Sequence, residues 1–145
     1  MREIKFRAWQ KAPSLRRPIG MYKVTDIVWY DKTPDGYTGE VFFKSYTSSE
    51  YLEDVDLMQF TGLLDKNGKE IYEGDIVKTT YHTNKLSYIG TINWVNYGFG
   101  VKRFDTTNGN NIQVIGASPL PQSTRIEVIG NIYENPELLK LREGK

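Results

Sequence analysis

Cysteine is absent from this chain of 145 residues, and histidine occurs once, at His82. The first absence excludes disulfides, thiolate nucleophiles and cysteine-ligated zinc or iron–sulfur centres, and it suits a reducing compartment. The second leaves His82 with no histidine or cysteine partner for zinc. A Ser/His/acid triad would have to use the same His82, and no serine stands in a nucleophile-elbow setting. Glycine-rich phosphate loops are missing as well: NYGFG at 96–100 and TTNGNN at 106–111 have neither the spacing nor the following helix. No apolar run approaches the roughly 18 residues of a membrane-spanning helix. The opening MREIKFRAW intersperses charges where a signal peptide would be continuously apolar. The expectation is an intracellular protein with no membrane segment and no assigned catalytic, cofactor-binding or metal-binding residue.

What is present starts with size. A chain of this length buries roughly two thirds of its extended surface, enough to fold without metal or disulfide support. The net charge of +1 hides an uneven distribution. Residues 1–23 hold seven Lys or Arg and one acid, for +6; residues 24–77 hold four bases and twelve acids, for −8; the rest is +3. A basic end beside an acidic middle suits attraction to a polyanion, to a second copy, or to its own acidic face.

The residue pattern is that of a mainly β protein. Ile4, Phe6 and Ala8 alternate with Lys5, Arg7 and Trp9, the two-residue period of a half-buried strand. QKAPSLRRPIG at 10–20 reads as a loop. Met21–Tyr30 and Tyr37–Tyr46 read as strands of a hairpin around DKTPDG. Between 47 and 60, Leu52, Val55, Leu57 and Met58 fit either a short strand or one helical turn. Asn67-Gly68 marks a tight turn with positive backbone angles, and Gly74 between Glu73 and Asp75 marks a bend or bulge. Ser87–Val95, Val101–Phe104, Ile112–Ile115 and Arg125–Ile129 are further strands. Tyr81–Lys85 and GASPLPQS at 116–123 read as loops. Asn135-Pro136 starts a short helix, PELLKLRE, with the Asn side chain placed to cap an early amide. The expected architecture is a small antiparallel barrel-like or strongly coiled β fold with a short C-terminal helix. It forms one domain over 1–145, divisible into an N-terminal lobe of about 1–60 and a C-terminal β lobe with the terminal helix of about 61–145.

Three blocks then carry a family resemblance: MREIKFRAW, LMQFTGLLDKNGKEIYEGDIV at 57–77, and IEVIGNIYENPELL at 126–139. Together, and in this order, they cover about a third of the chain and resemble the YopX family of small proteins encoded by phages and prophages. The resemblance implies a mostly β fold with segregated N- and C-terminal parts and a phage or prophage origin. It implies no reaction and transfers no site. Physically, the central block sets Gly62, Asn67, Gly68 and Gly74 in one segment, a demand for specific turns or close backbone approach.

Chemistry-bearing clusters are sparse. Asp65, Asn67 and Glu70 lack the ligand spacing of a calcium loop. Glu73 and Asp75 would share a face of a regular strand, and with Asp65 they make the set for a metal-dependent hydrolase, the least favoured alternative. Arg7, Arg16 and Arg17 with Trp9 and Tyr22 form a basic, aromatic N-terminal set, the candidate interaction surface. Charges of this kind hold phosphates and rings stack bases, so a nucleic-acid-associated protein is the first alternative. The −8 middle opposes it. Ten tyrosines and three tryptophans are ready interface anchors. The favoured expectation is a non-enzymatic phage accessory protein that binds a host or phage protein and self-associates.

Overall fold

The computed structural model describes residues 3–14, 17–31, 33–44, 48–80, 87–95, 97–103, 112–114 and 125–140. His82, the 81–85 and 116–123 loops, the TTNGNN turn and Arg16 lie outside them. Eleven strands are seen among the described residues, arranged in antiparallel sheets that stay open and do not close into a barrel. Their contacts divide the chain into two units, Met1–Gln59 and Phe60–Lys145. No helix among the described residues is long and apolar enough to cross a membrane.

The N-terminal unit is a twice-folded ribbon: β1 (Phe6–Gln10), β2 (Gly20–Trp29), β3 (Gly39–Phe43), β4 (Ser49–Tyr51), and the first half of β5 (Val55–Leu64). The order is β4-β3-β2-β1-β5, so β1, first in sequence, is paired on both sides. Its alternation has a purpose: Ala8 and Gln10 are buried, while Arg7 and Trp9 on the opposite face are half-buried. Ala8 is the register partner of Tyr22 on one side and of Leu57 on the other. Around it Val41, Phe43 and Val55 form the core, with Tyr22, Val24, Leu52 and Leu57 packed against them. The 47–60 ambiguity resolves as both alternatives in succession: β4, then a single 3-10 turn at Leu52–Asp54, then β5.

In the C-terminal unit, the rest of β5 pairs with β6 (Glu70–Tyr72). A second sheet runs β10-β9-β8-β7-β11, made of β7 (Asp75–Thr80), β8 (Ser87–Val95), β9 (Gly98–Arg103), β10 (Ile112–Val114) and β11 (Ile126–Asn131). Ile71, Val77, Ile92, Phe99, Val101 and Ile126 make its core.

The glycine-rich central block supplies the corners. Gly62, Gly68 and Gly74 all have positive φ, at 85, 78 and 75°. Gly62 sits in a register shift of β5, between Phe60 and Leu64. Gly68 closes the β5–β6 turn, donating its N–H to Asp65 O at 3.0 Å. Gly74 is the most constrained: buried between β6 and β7, it donates to Ile92 O and accepts from Ile132 N–H, both at 2.9 Å. A side chain in that left-handed conformation would be strained, so glycine is required there.

The C-terminal helix α1 (Glu137–Lys140) is present, but its entry differs from expectation. Asn135 does not cap a helical amide; its Oδ1 turns back to accept the N–H of Asn131 at 3.2 Å. Asn131 Oδ1 in turn accepts from the N–H groups of Tyr133 and Glu134, at 3.1 and 2.9 Å. Two reciprocal side-chain turns have replaced the cap because the chain must reverse directly after β11.

Candidate binding groove

The polar side chains that line a groove lie in the N-terminal unit, around the edge strand β4. Ser14 and Arg17 are tied to each other beside this edge: Ser14 N–H donates to Arg17 O at 2.9 Å, and Arg17 N–H donates to Ser14 Oγ at 3.1 Å. The Arg17 guanidinium then enters the core, only 2% exposed, 4.3 Å above the Phe43 ring. It donates to Ser48 O and, at 2.7 Å, to Ser48 Oγ, with Glu50 Oε1 3.9 Å away. Ser14 Oγ donates to the same Glu50 oxygen at 2.7 Å. Arg17 is thus a clamp between the loop and the edge strand.

Two adjoining cavities lie along this clamp, of about 370 and 280 Å³, with Ser14, Glu50 and Asp54 lining both. Tyr37, Glu40, Ser49 and Tyr51 complete the larger. Tyr37 and Tyr51 are stacked, with ring centroids 3.8 Å apart and planes 13° from parallel. Glu40 accepts from Ser49 Oγ at 2.8 Å and from the Tyr30 hydroxyl, and that hydrogen bond to the carboxylate raises the tyrosine pKa above its usual 10. Gln10, Lys11 and Glu53 contribute to the smaller cavity. Glu53 accepts from Thr38 Oγ1 at 2.6 Å and from Thr38 N–H at 3.0 Å, which lowers its pKa. Lys11 points its ammonium at Glu53 O, 3.3 Å, and Asp56, 3.2 Å. The Asp54 carboxylate makes no hydrogen bond or ion pair with the described residues.

Gln10 is the notable wall residue. It is 2% exposed, and its Nε2 donates to Ala12 O at 3.0 Å, which fixes which end of the amide is oxygen. That oxygen, Oε1, accepts no hydrogen bond. A buried acceptor left unmade costs about 1–3 kcal/mol.

The residues of the expected interaction surface take different places. Arg17 is inside, Arg16 lies outside the described residues, and Tyr22 packs on Phe43, ring centroids 5.4 Å apart, with its hydroxyl on Pro18 O at 3.0 Å. Only Arg7 and Trp9 share a half-buried face of β1. Two carboxylates of the hydrolase alternative, Asp65 and Asp75, are bound to backbone N–H groups at turns. Asp65, buried, accepts backbone N–H groups from Asn67, Lys69 and Val128 at 2.8, 2.9 and 3.0 Å. Asp75 accepts the Tyr72 N–H at 2.8 Å. Among the described residues no group of three or more His, Cys, Asp or Glu is placed to hold a metal ion. What the sequence reading missed is Gln10, Tyr37, Glu40, Glu50, Tyr51 and Asp54. The run SSEYLED at 48–54 was the available signal, three acids around a single tyrosine within the −8 segment.

The fold has known counterparts. The crystal structure of protein EF1440 from Enterococcus faecalis superposes with a TM-score of 0.57 at 25% identity, covering 94% of this chain and 98% of that one. Protein YopX from Bacillus subtilis superposes with a TM-score of 0.56 at 20% identity, covering 93% and 95%. No curated protein matches. The family model described as YopX protein matches residues 5–140, nearly the whole chain, and the chain belongs to the YopX family.

Proposed function

We propose that this chain is a non-enzymatic phage or prophage accessory protein, acting in the cytoplasm of the bacterial host by binding another protein and by self-association. The observation that carries the reading is the end of the N-terminal sheet. Val28, Glu40 and Tyr51 are register partners in a row across β2, β3 and β4. Tyr30, whose hydroxyl bonds Glu40, continues it beside the stacked Tyr37–Tyr51 pair, and Trp29, 69% exposed, stands on the opposite face of β2. Exposed aromatics around carboxylates supply the anchor-and-rim composition of a protein interface. The acidic character of the groove favours a partner that presents a basic segment.

The test is quantitative mass spectrometry of material co-purified with the tagged protein from phage-infected cells, before and after nuclease, beside a Trp29→Ala/Tyr51→Ala variant. The expected result is one dominant protein that survives nuclease and falls at least fivefold with the variant. Recovery that collapses on nuclease would overturn the reading in favour of nucleic acid.

A further inference from the structure

We infer that the outward face of the N-terminal sheet docks on the same face of a second copy of this chain, the two related by a two-fold axis running across the strands. This rests on the self-association in the proposed function and names its surface. Register places the charges. Arg7 is the partner of Lys23, and Lys44, just past the end of β3, donates its N–H to Lys23 O at 3.1 Å. Arg7, Lys23 and Lys44 therefore form one row across β1, β2 and β3, on the face turned away from the core residues Ala8, Val41 and Phe43. Like charges set directly opposite one another destabilise a sheet. Lys23 and Lys44 are exposed, and among the described residues no acid pairs with either. Of the residues of 1–59 outside the described ones, none is acidic. On the same face stands the row Val28–Glu40–Tyr51, with Glu40 four residues before Lys44, about 13 Å along the strand. Asp26, Phe42 and Ser49, also register partners, lie between the two rows.

The face is thus self-complementary. Turning a second copy over about an axis along the Asp26–Phe42–Ser49 row reverses its strand direction and keeps its strand order. Each basic row then lies on the other copy's Val28–Glu40–Tyr51 row, and the contact is made twice. Lys44 meets Glu40 of the second copy, and the stem of Lys23 lies on Val28, which is 39% exposed. Phe42, half-buried in one copy, meets its counterpart at the axis. The two Asp26 carboxylates also come to the axis, between the two basic rows, which offsets their like charge. Four strands at about 4.8 Å spacing make a patch about 14 Å wide, at the low end for a specific contact, so the dimer is weak. A polyanion would gain the basic row and be repelled by Asp26 and Glu40; a second copy satisfies both signs.

The test is sedimentation equilibrium of the full chain from micromolar to near-millimolar concentration, at low and at high salt. The expected result is a monomer–dimer equilibrium whose dissociation constant rises at least fivefold at high salt. Lys23→Glu/Lys44→Glu, exposed changes, should raise it at least tenfold with the circular dichroism spectrum unchanged, and Glu40→Lys should do the same. Val28→Lys, an exposed change in the same row, takes its place where Glu40→Lys does not fold. Mixing the two kinds of variant should restore a dimer, because each then meets the opposite charge on both rows. Assembly beyond the dimer, or no restoration on mixing, would overturn the proposal. Association that Lys23→Glu/Lys44→Glu leaves unchanged removes this face while self-association stands; a monomer at every concentration removes self-association itself.

Discussion

Asp65 shows what single side chains do in the central block. Its carboxylate is buried at a hairpin turn, a costly place for a charge, yet three backbone N–H groups reach it, one of them from β11. Burial pushes its pKa up; the N–H groups of Val128, Lys69 and Asn67 and the charge of Lys69 outweigh that, and the net shift is downward. A depressed pKa means that the charged form stabilises the fold. That contribution is complete above the unfolded carboxylate pKa, near 4, and is lost as pH falls through the lower folded value. Denaturant unfolding between pH 7 and pH 2 should therefore show a decline that Asp65→Asn removes in part. Asp65→Ala, which strands three N–H groups, should cost about 3 kcal/mol at pH 7. At Gly74, alanine should cost roughly 1–2 kcal/mol, because the left-handed conformation is held by hydrogen bonds on both sides.

At the scale of elements, the strands are held by pairing and by the way their ends are finished. The outward side of β11 is not left open: Ile126 O accepts from Lys66 N–H at 2.9 Å, and Val128 N–H goes to Asp65. Occupying those groups denies them to a foreign strand. The exit from β11 depends on close packing. A Cβ on Gly130 would lie 2.6 Å from Asn135 Oδ1 and 2.9 Å from its Cβ, well inside contact distance. Gly130→Ala should lower stability by about 2 kcal/mol in urea unfolding, and by less than half as much in an Asn135→Gly background. Ile92→Ala, on the central strand β8, removes a fully buried side chain and should cost about 2–5 kcal/mol. The strands themselves were legible, since β-branched and aromatic runs broken by Asn-Gly and Pro-Asp-Gly turns demand them locally. The side-chain turns around Asn131 and Asn135 were not, because a cap and a back-turn use the same residues.

For the whole molecule, charge segregation is the governing feature. The −8 stretch contributes Glu40, Glu50, Glu53 and Asp54 to one region, while part of the +6 stretch is consumed internally by Arg17. Binding of a basic partner to that region should weaken several-fold between 50 and 300 mM salt, measured by titration calorimetry, as expected for exposed carboxylates. Association with unchanged affinity across that range would place the contact on the apolar row instead.

The sequence by itself determined the β character, the demand for glycine at Gly62, Gly68 and Gly74, and the family, because these depend on local backbone conformation and contiguous blocks. Tertiary structure alone decided the fate of the charges. Arg17 reads as a surface cation until β3 and β4 close over it, and Gln10 reads as a loop residue until its oxygen is buried without a donor. A strand's neighbours are set by pairing over tens of residues, so a groove built from residues 10–14, 37–40 and 49–54 exists only once those strands are side by side.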